Sequence, residues 1–456
     1  MRQKTGKVPQ SFSALTAAYL AILLSIYLLY PGRGGYQTIT AQKWSAYLLI
    51  TGVYIAAMLL LHLELAIVGA ARLPAPTMLR KTLGLPQKFI LLYLFATVLS
   101  TLFSEFRQTA LWGGGRCEGL AAIALYCLSF LLVSAYGQPK RWMLWLYAAA
   151  ISVNCVLCLL QFAGLNPLHL YPEGMNYYGA NTQYAGEFLG TVGNVDILSA
   201  VLSLSIPAFW AAILRMKGCR ERYFLLIPLA LCLVVLLRAF VAGGILGVTG
   251  AVVLSAPLMT DDKRRRKWAL ICVIAALIAA AAAVYCFGSR MGGFLYEASE
   301  LMHGRWDDRF GTGRIYIWRN VIQLVPEHLL LGGGPDTLGL RTDAAFERYD
   351  ETLGILIHST IDTAHNEYLN ILVNQGLLAL LSYLAALLAS AIHWVRRGAE
   401  EPAAALCGCA VLGYCIQAFF GISSPISTPY LWLALAVLDS DLCVSKSNSL
   451  EKGREK

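Results

Sequence analysis

Apolar residues in this chain come in runs of about 20, the length that crosses a bilayer as a helix. Twelve runs can be drawn: 11–30, 45–69, 88–104, 119–136, 142–163, 194–214, 223–238, 240–258, 268–287, 366–394, 403–420 and 430–445. A helix on the surface of a soluble domain is apolar along one face, whereas these runs are apolar all round. Charged residues are 14% of the 456, against roughly 25% in an ordinary soluble domain. In hydrocarbon every backbone N–H must be satisfied within its own segment, so helices are the expected elements. A β-barrel would show short alternating segments instead. The expected fold class is an all-α polytopic membrane protein with about 12 transmembrane helices. The first run is long enough to span by itself, so no removable signal peptide is expected.

Lys and Arg set the orientation. With both termini on one side, that side carries 24 of the 36 basic residues, in short loops and the tails. The other face carries 12, of which 7 lie in the long 288–365 segment, and long loops count little in setting topology. Both termini are therefore expected in the cytoplasm, and the 288–365 segment outside. The expected division is spans 1–9 over 1–287, a mostly helical extracytoplasmic cap over 288–365, and spans 10–12 with a cytoplasmic tail over 366–456. The net charge of +9 follows from the same loops. The basic run at 263–267 reads as a topology signal touching anionic lipid, and no nucleic-acid partner is expected. The 12 cysteines form no paired framework, and those at 155, 158, 232, 407 and 409 fall inside apolar runs as small apolar residues. No Cys/His spacing fits a zinc site. Glu64 is the one charge noted inside a span.

Two outer segments are long. Residues 164–193 hold Pro167, His169, Tyr171, Glu173, Tyr177, Tyr178 and Tyr184 and lack Lys and Arg. Their rings suit either an interfacial aromatic belt or stacking against sugars, and the belt is favoured. The 288–365 island carries Arg305, Arg309, Arg314 and Arg319 with Trp306, Tyr316 and Trp318, then Gly332-Gly333-Gly334-Pro335, then Asp362-Thr363-Ala364-His365-Asn366. A helix is expected over 313–325, with Arg314 and Trp318 on one face.

Three features point to an anionic ligand. Gly113-Gly114-Gly115-Arg116 opens into a span, and free N–H groups at such an end attract phosphate; a plain flexible turn is the alternative. Arg238 sits between two apolar runs, where a charge either finds a partner or ligand or snorkels to the interface. The arginine cluster offers planar forks that grip phosphate oxygens, or else forms a solvated surface paired with Asp307, Asp308 and Glu327. His365 is the sharpest candidate base, because imidazole titrates near neutrality and can take a hydroxyl proton. Asp362 would orient its ring or stabilise its charged form, unless His365 is simply a helix-start residue. His303 and His358 are weaker, as isolated loop residues. Residues 332–339 lack the strand–helix setting of a dinucleotide fingerprint and are expected to form a tight turn in the cap.

Taken in order, Arg314-Ile-Tyr-Ile-Trp318, Pro326, Gly332-Gly-Gly-Pro335, His365-Asn-Glu-Tyr-Leu369 and Gly376-Leu377 resemble the O-antigen ligase and Wzy-type polymerase superfamily. Arg116-Cys-Glu-Gly-Leu120, Gly193-Asn-Val-Asp196 and Arg238 followed by Gly243-Gly244 resemble its looser motifs, so the resemblance covers about 185–435 most clearly. It implies a GT-C-type membrane glycosyltransferase that needs no metal or other cofactor. Such an enzyme moves a glycan from an undecaprenyl-diphosphate carrier to an acceptor hydroxyl on the outer face of the cytoplasmic membrane. The partners implied are the lipid-linked donor, a glycan, lipid or protein acceptor, and membrane lipids. Carried over by motif, His365 is the catalytic base and Arg314 and Arg238 hold the diphosphate, with Arg116 a further candidate for it; Arg309, Trp318, Asp362 and Asn366 are the other candidate substrate-binding residues. The chain departs from the ligase pattern at Thr363, where ligases often carry a second His, and at Asn194-Val-Asp196, in place of an asparagine-rich motif. A polymerase of lipid-linked repeats is the nearest alternative. A small-solute transporter, expected to show charged or broken helices at mid-membrane, is the alternative from another class. A scaffold or receptor would explain the cap but not the His and Arg pattern.

Overall fold

The computed structural model of the chain describes residues 10–68, 83–179, 186–216, 218–350, 355–397 and 401–440. Tyr184, the 70–82 part of a basic loop, residues 1–9 and the tail after 440 lie outside the described residues. Each of the twelve expected apolar runs contains a helix. In chain order these are α1 (Gln10–Ile22, continued by a π turn over Leu23–Tyr27), α2 (Ile39–Val68), α3 (Leu85–Phe103), a short α4 (Arg107–Trp112), α5 (Leu120–Tyr136), α6 (Arg141–Phe162) and α7 (Val195–Arg215). They continue with α8 (Leu226–Ala239), α9 (Ala242–Ser255), α10 (Lys263–Phe287), the outer helices α11 (Phe294–Met302) and α12 (Arg314–Leu324), then α13 (Glu367–Arg397), α14 (Pro402–Gln417) and α15 (Thr428–Leu438). Among the described residues nine helical stretches are long and apolar enough to cross a membrane, while α5, α14 and α15 are shorter apolar helices. The chain is a polytopic, overwhelmingly helical membrane protein.

Helix α7 is the axis of the bundle. Most of it is buried, against α8, α9 and α14. Lipid tails are as apolar as leucine, so close contact between spans comes from small residues that let backbones approach. A Cβ on Gly413 of α14 would lie 2.0 Å from the Ser203 carbonyl oxygen, and one on Gly244 of α9 would lie 2.8 Å from Ser199. Helix α10 is the opposite case. None of its residues is buried, and its packing is with the turns at its two ends and with α11. Trp432 of α15 is the aromatic centre, stacked near Tyr93 and Tyr126 and edge-on to Phe130.

Several expectations need correction. Tyr171 and Tyr177 are neither a belt nor a sugar platform but part of the core; Tyr177 donates to the Gly186 carbonyl at 3.2 Å and Tyr171 to that of Phe188. Tyr178 is exposed. Glu64 does lie in a span, α2, and a second charge of that helix, Lys43, is fully buried: its ammonium donates to the Tyr27 and Leu28 carbonyls at 2.6 and 2.9 Å. Those are carbonyls freed where α1 ends, where a cation is favoured. Glu64 is exposed.

The 288–365 segment is less helical than expected. Helix α12 forms where the pattern predicts it, but residues 345–360 carry an antiparallel pair, β3 (Ala345–Asp350) and β4 (Ile355–Thr360), with Ala345 opposite Thr360. His358 therefore lies on a strand. His303 caps α11 with its ring stacked on Tyr285, 4.1 Å between centroids. A shorter ladder, earlier in the chain, joins β1 (Phe188–Leu189) to β2 (Gly193–Asn194), just before α7.

The 332–339 stretch is a backbone seam. Helix α13 breaks at Gly376 (φ +86°). The carbonyls of Val373 and Asn374 accept instead from Gly333 and Gly334 N–H at 3.2 and 2.7 Å, while Leu377 N–H donates to the Leu329 carbonyl at 2.8 Å. Arg341 closes the seam with bonds of 2.9 Å to the Val373 carbonyl and the Asn374 side chain. Glycine is required: a Cβ on Gly332 would lie 2.4 Å from the Asn374 carbonyl carbon, and one on Gly376 would lie 2.3 Å from the Leu330 carbonyl oxygen.

Candidate active site

Four separated pieces of chain meet at one end of the bundle. Asn194 caps α7 by accepting from the Asp196 N–H at 2.9 Å, which sets Asp196 in the first turn. A carboxylate there is favoured by the helix dipole. Gly313, in the left-handed region, starts α12 and delivers Arg314 as its first residue. The stretch before α13 supplies Asp362 and His365, and the loop before α5 supplies Arg116.

Asp196 is the shared partner. Its Oδ2 lies 3.3 Å from Arg314 Nη2 and 3.9 Å from His365 Nδ1. Arg314 also donates through Nη1 to the Gly311 carbonyl at 2.9 Å and to Thr312 Oγ1 at 2.7 Å. Arg314 Nε and His365 Nδ1 are both buried without a hydrogen-bond partner. Beside this group Arg116 and Asp362 form a two-pronged pair, Nε–Oδ2 at 2.9 Å and Nη2–Oδ1 at 3.0 Å. Asp362 thus serves Arg116, and the carboxylate nearest the imidazole is Asp196, which sequence adjacency did not suggest.

His365 is held tightly by its neighbours. Its own backbone is in the left-handed region (φ +46°), a conformation uncommon outside glycine. Trp318 Nε1 donates to the Ala364 carbonyl at 3.0 Å, and Asn366 accepts from Leu369 N–H at 3.0 Å as the N-cap of α13. Glu367 N–H donates to the Ala418 carbonyl at 2.9 Å, while its buried carboxylate accepts from Tyr383 and Tyr414 at 2.7 and 2.9 Å. Trp318 and Asn366 therefore act on the backbone around His365. Burial depresses the His365 pKa to about 4, with Asp196 pulling it up and Arg314 and Arg116 pushing it down. At neutral pH the ring is uncharged, the form that accepts a proton.

The glycine loop is not an open phosphate cradle. Asp336 occupies it: its Oδ2 accepts from Gly114 N–H at 2.6 Å and from Glu118 N–H at 3.2 Å. A turn carrying exposed N–H groups attracts an anion, and here the protein supplies its own. Burial raises the Asp336 carboxyl. The loop is a rigid bracket that places Arg116 beside Asp362.

The remaining residues stand apart. Arg309 pairs with Asp307 at 2.7 Å on the exposed surface, Arg319 with Asp308 and Arg305 with Glu300, both at 2.5 Å. Of the four arginines between 305 and 319, Arg314 alone enters the cluster. Arg238 lies at the same end of the bundle, since α8 runs back along α7, but it is exposed. It donates to the Tyr178 hydroxyl at 2.7 Å and lies over the Phe162 ring at 5.5 Å. Its contacts are aromatic and do not include Asp196, Arg314 or His365. Among the described residues no group of three or more His, Cys, Asp or Glu gathers in a way that could hold a metal ion.

Fold and site together define a class: a multi-pass membrane protein with a compact His–Arg–Asp cluster at one end of its helix bundle. Residues 227–384 match the family model described as O-antigen ligase. That stretch of this membrane protein is thus similar to the O-antigen ligase family. Curated proteins give no match. The matched stretch is narrower than the resemblance suggested. It contains Arg238, Arg314 and His365, and it stops short of Arg116 and Asp196.

Asp196 is the residue that sequence reasoning missed. Its signal was present: Asn then Asp at the opening of a long apolar run, a cap followed by a first-turn acid. Asp336 was hidden because its partners are more than 200 positions away.

Proposed function

We propose that the chain transfers a glycan from a polyprenyl-diphosphate carrier to an acceptor hydroxyl, in the manner of an O-antigen ligase, at the Arg314–Asp196–His365 cluster. The observation that carries the reading is the pair of buried, unpartnered nitrogens, Arg314 Nε and His365 Nδ1, flanking one carboxylate. A buried donor or acceptor left unpaired costs about 1–3 kcal/mol, and such groups are expected where a ligand completes them.

The neutral His365 ring takes the proton of the acceptor hydroxyl. That oxygen attacks the anomeric carbon, the bond from carbon to diphosphate oxygen breaks, and the lipid diphosphate leaves. Arg314 is the cation placed to meet the charge growing on the leaving group, which favours the transition state over the ground state. Arg116 contributes less, because Asp362 already neutralises it. Asp196 is placed to stabilise the imidazolium once the proton has moved. Direct displacement inverts the anomeric centre. A bound diphosphate also opposes the two guanidinium charges, so it draws the His365 pKa back toward neutrality.

We take all twelve apolar helices as spans and the site end as extracytoplasmic. Supporting this, Arg215, Lys140, Arg141 and the 263–267 run lie at helix ends away from Asp196, as basic loops on the cytoplasmic side do. The transporter alternative is weaker on one observation: the break in α13 is filled by the 329–334 backbone instead of lining a passage. Ligase and polymerase share this chemistry and differ in the acceptor.

The test is transfer by purified protein from a polyprenyl-diphosphate glycan to lipid-linked, lipid A-core or protein acceptors. His365→Ala and Arg314→Ala are each expected to lower turnover by about 10²–10⁴-fold while inserting normally. Transfer at wild-type rate by both variants would overturn the assignment.

A further inference from the structure

At the end of the bundle opposite the candidate site, α1, α6, α7, α14 and α15 enclose a cavity of about 540 Å³. Its walls are apolar, with Leu20, Leu204, Ala208, Leu406 and Leu433 among them. At its inner end Tyr147 and Tyr430 have their hydroxyls engaged, by Ser205 at 2.6 Å and by the Leu23 carbonyl at 3.2 Å. The walls thus offer nothing to a polypeptide backbone, whose N–H and C=O groups need partners in such a place. An acyl chain needs none.

The mouth has a different character. Lys140, Arg141 and Arg215 line the cavity and no Asp or Glu does. Arg215 is held by Asp261 at 2.7 Å. Lys140 and Arg141 are exposed and, among the described residues, have no carboxylate partner. Helices α6 and α14 both begin here, at Arg141 and Pro402, so two positive dipole ends face the same opening. Along α7 the lining runs from Leu204 to Arg215, a rise of roughly 16 Å, or about half of a hydrocarbon core of ~30 Å. The cavity is therefore about one leaflet deep.

We propose that this cavity is a lipid site: it holds an acyl chain of an anionic phospholipid from the leaflet opposite the candidate site, with the phosphate against Lys140 and Arg141. The proposal stands apart from glycan transfer and survives if that reading fails.

Native mass spectrometry of the full chain in mild detergent tests it, with phosphatidylglycerol and phosphatidylcholine of identical chains as probes. Wild type is expected to keep one phosphatidylglycerol under activation that strips other lipids, with at least about a fivefold preference over phosphatidylcholine. The exposed pair Lys140→Glu/Arg141→Glu is expected to abolish that preference. Ala403→Trp, at the mouth, is expected to reduce retention of both lipids. Arg107→Glu/Arg290→Glu, exposed arginines at the other end of the bundle, is expected to change nothing. Equal thermal midpoints establish that the variants are folded. The proposal falls if phosphatidylglycerol preference survives the Lys140/Arg141 reversal, if the Arg107/Arg290 reversal lowers it as much, or if Ala403→Trp retains both lipids like wild type.

Discussion

Asp196 stands between two groups that lie 118 and 169 positions away along the chain, Arg314 and His365, and it pulls the imidazole pKa up against the larger effect of burial. The ring is uncharged at neutral pH because burial outweighs its carboxylate neighbour. The folded ring titrates near 4 against an ordinary 6.5, so between those values the unfolded chain binds the extra proton. Stability contributed at this position is therefore lost as pH falls from 6.5 toward 4. For activity, the acid limb of kcat/KM is expected near pH 4 and not near 6.5, since that profile reports the free enzyme. Asp196→Asn removes the charge that lifts the ring and is expected to move the limb lower still, with turnover reduced about tenfold or more; pH–rate profiles of the two proteins check both. At this scale the sequence was informative where partners are local. Arg314, Trp318 and His365 sit in recognisable spacing. Asp362 was assigned to the ring because it is three residues away, yet its guanidinium partner comes from Arg116, which no local pattern links to it.

Elements were legible to the degree that bilayer physics dictates them. All twelve apolar runs contain helices because lipid leaves the backbone few other choices. The pairing of β3 with β4 was not foreseen, since Glu347, Arg348 and Asp350 make β3 half charged and acidic residues are depleted in strands; the β-branched residues of β4, Ile355, Ile357 and Thr360, were the available signal. The glycines at 332–334 were read as a turn, and their actual work is to lie backbone against backbone on a broken helix. That close approach makes a sharp prediction. Gly332→Ala meets both a positive φ and the Asn374 carbonyl, and is expected to cost at least about 2 kcal/mol. The thermal midpoint in detergent should fall by several degrees, and Gly292→Ala, where a Cβ meets nothing within 4 Å, should leave it unchanged.

For the whole molecule, the chain is divided by depth: buried aromatics and small residues at the centre, the His–Arg–Asp cluster at one end, and a basic-rimmed cavity at the other. Helix α10 has no part in the centre. It is tied to the rest at its extremities, and α11, which follows it, holds the Gly311 N–H through Glu297 at 2.9 Å, three residues ahead of Arg314. A free-standing rod of 25 residues is roughly 38 Å long, more than a hydrocarbon core of ~30 Å. Hydrophobic mismatch is relieved by tilting, and α11 with Glu297 is the connection by which a tilt of α10 would reach the loop that presents the guanidinium. Reconstitution in phosphatidylcholines of increasing chain length should therefore give transfer rates that vary with bilayer thickness, while Glu297→Ala, which cuts the tie to Gly311, should flatten that dependence. The protein would then read the thickness of its membrane as a mechanical input.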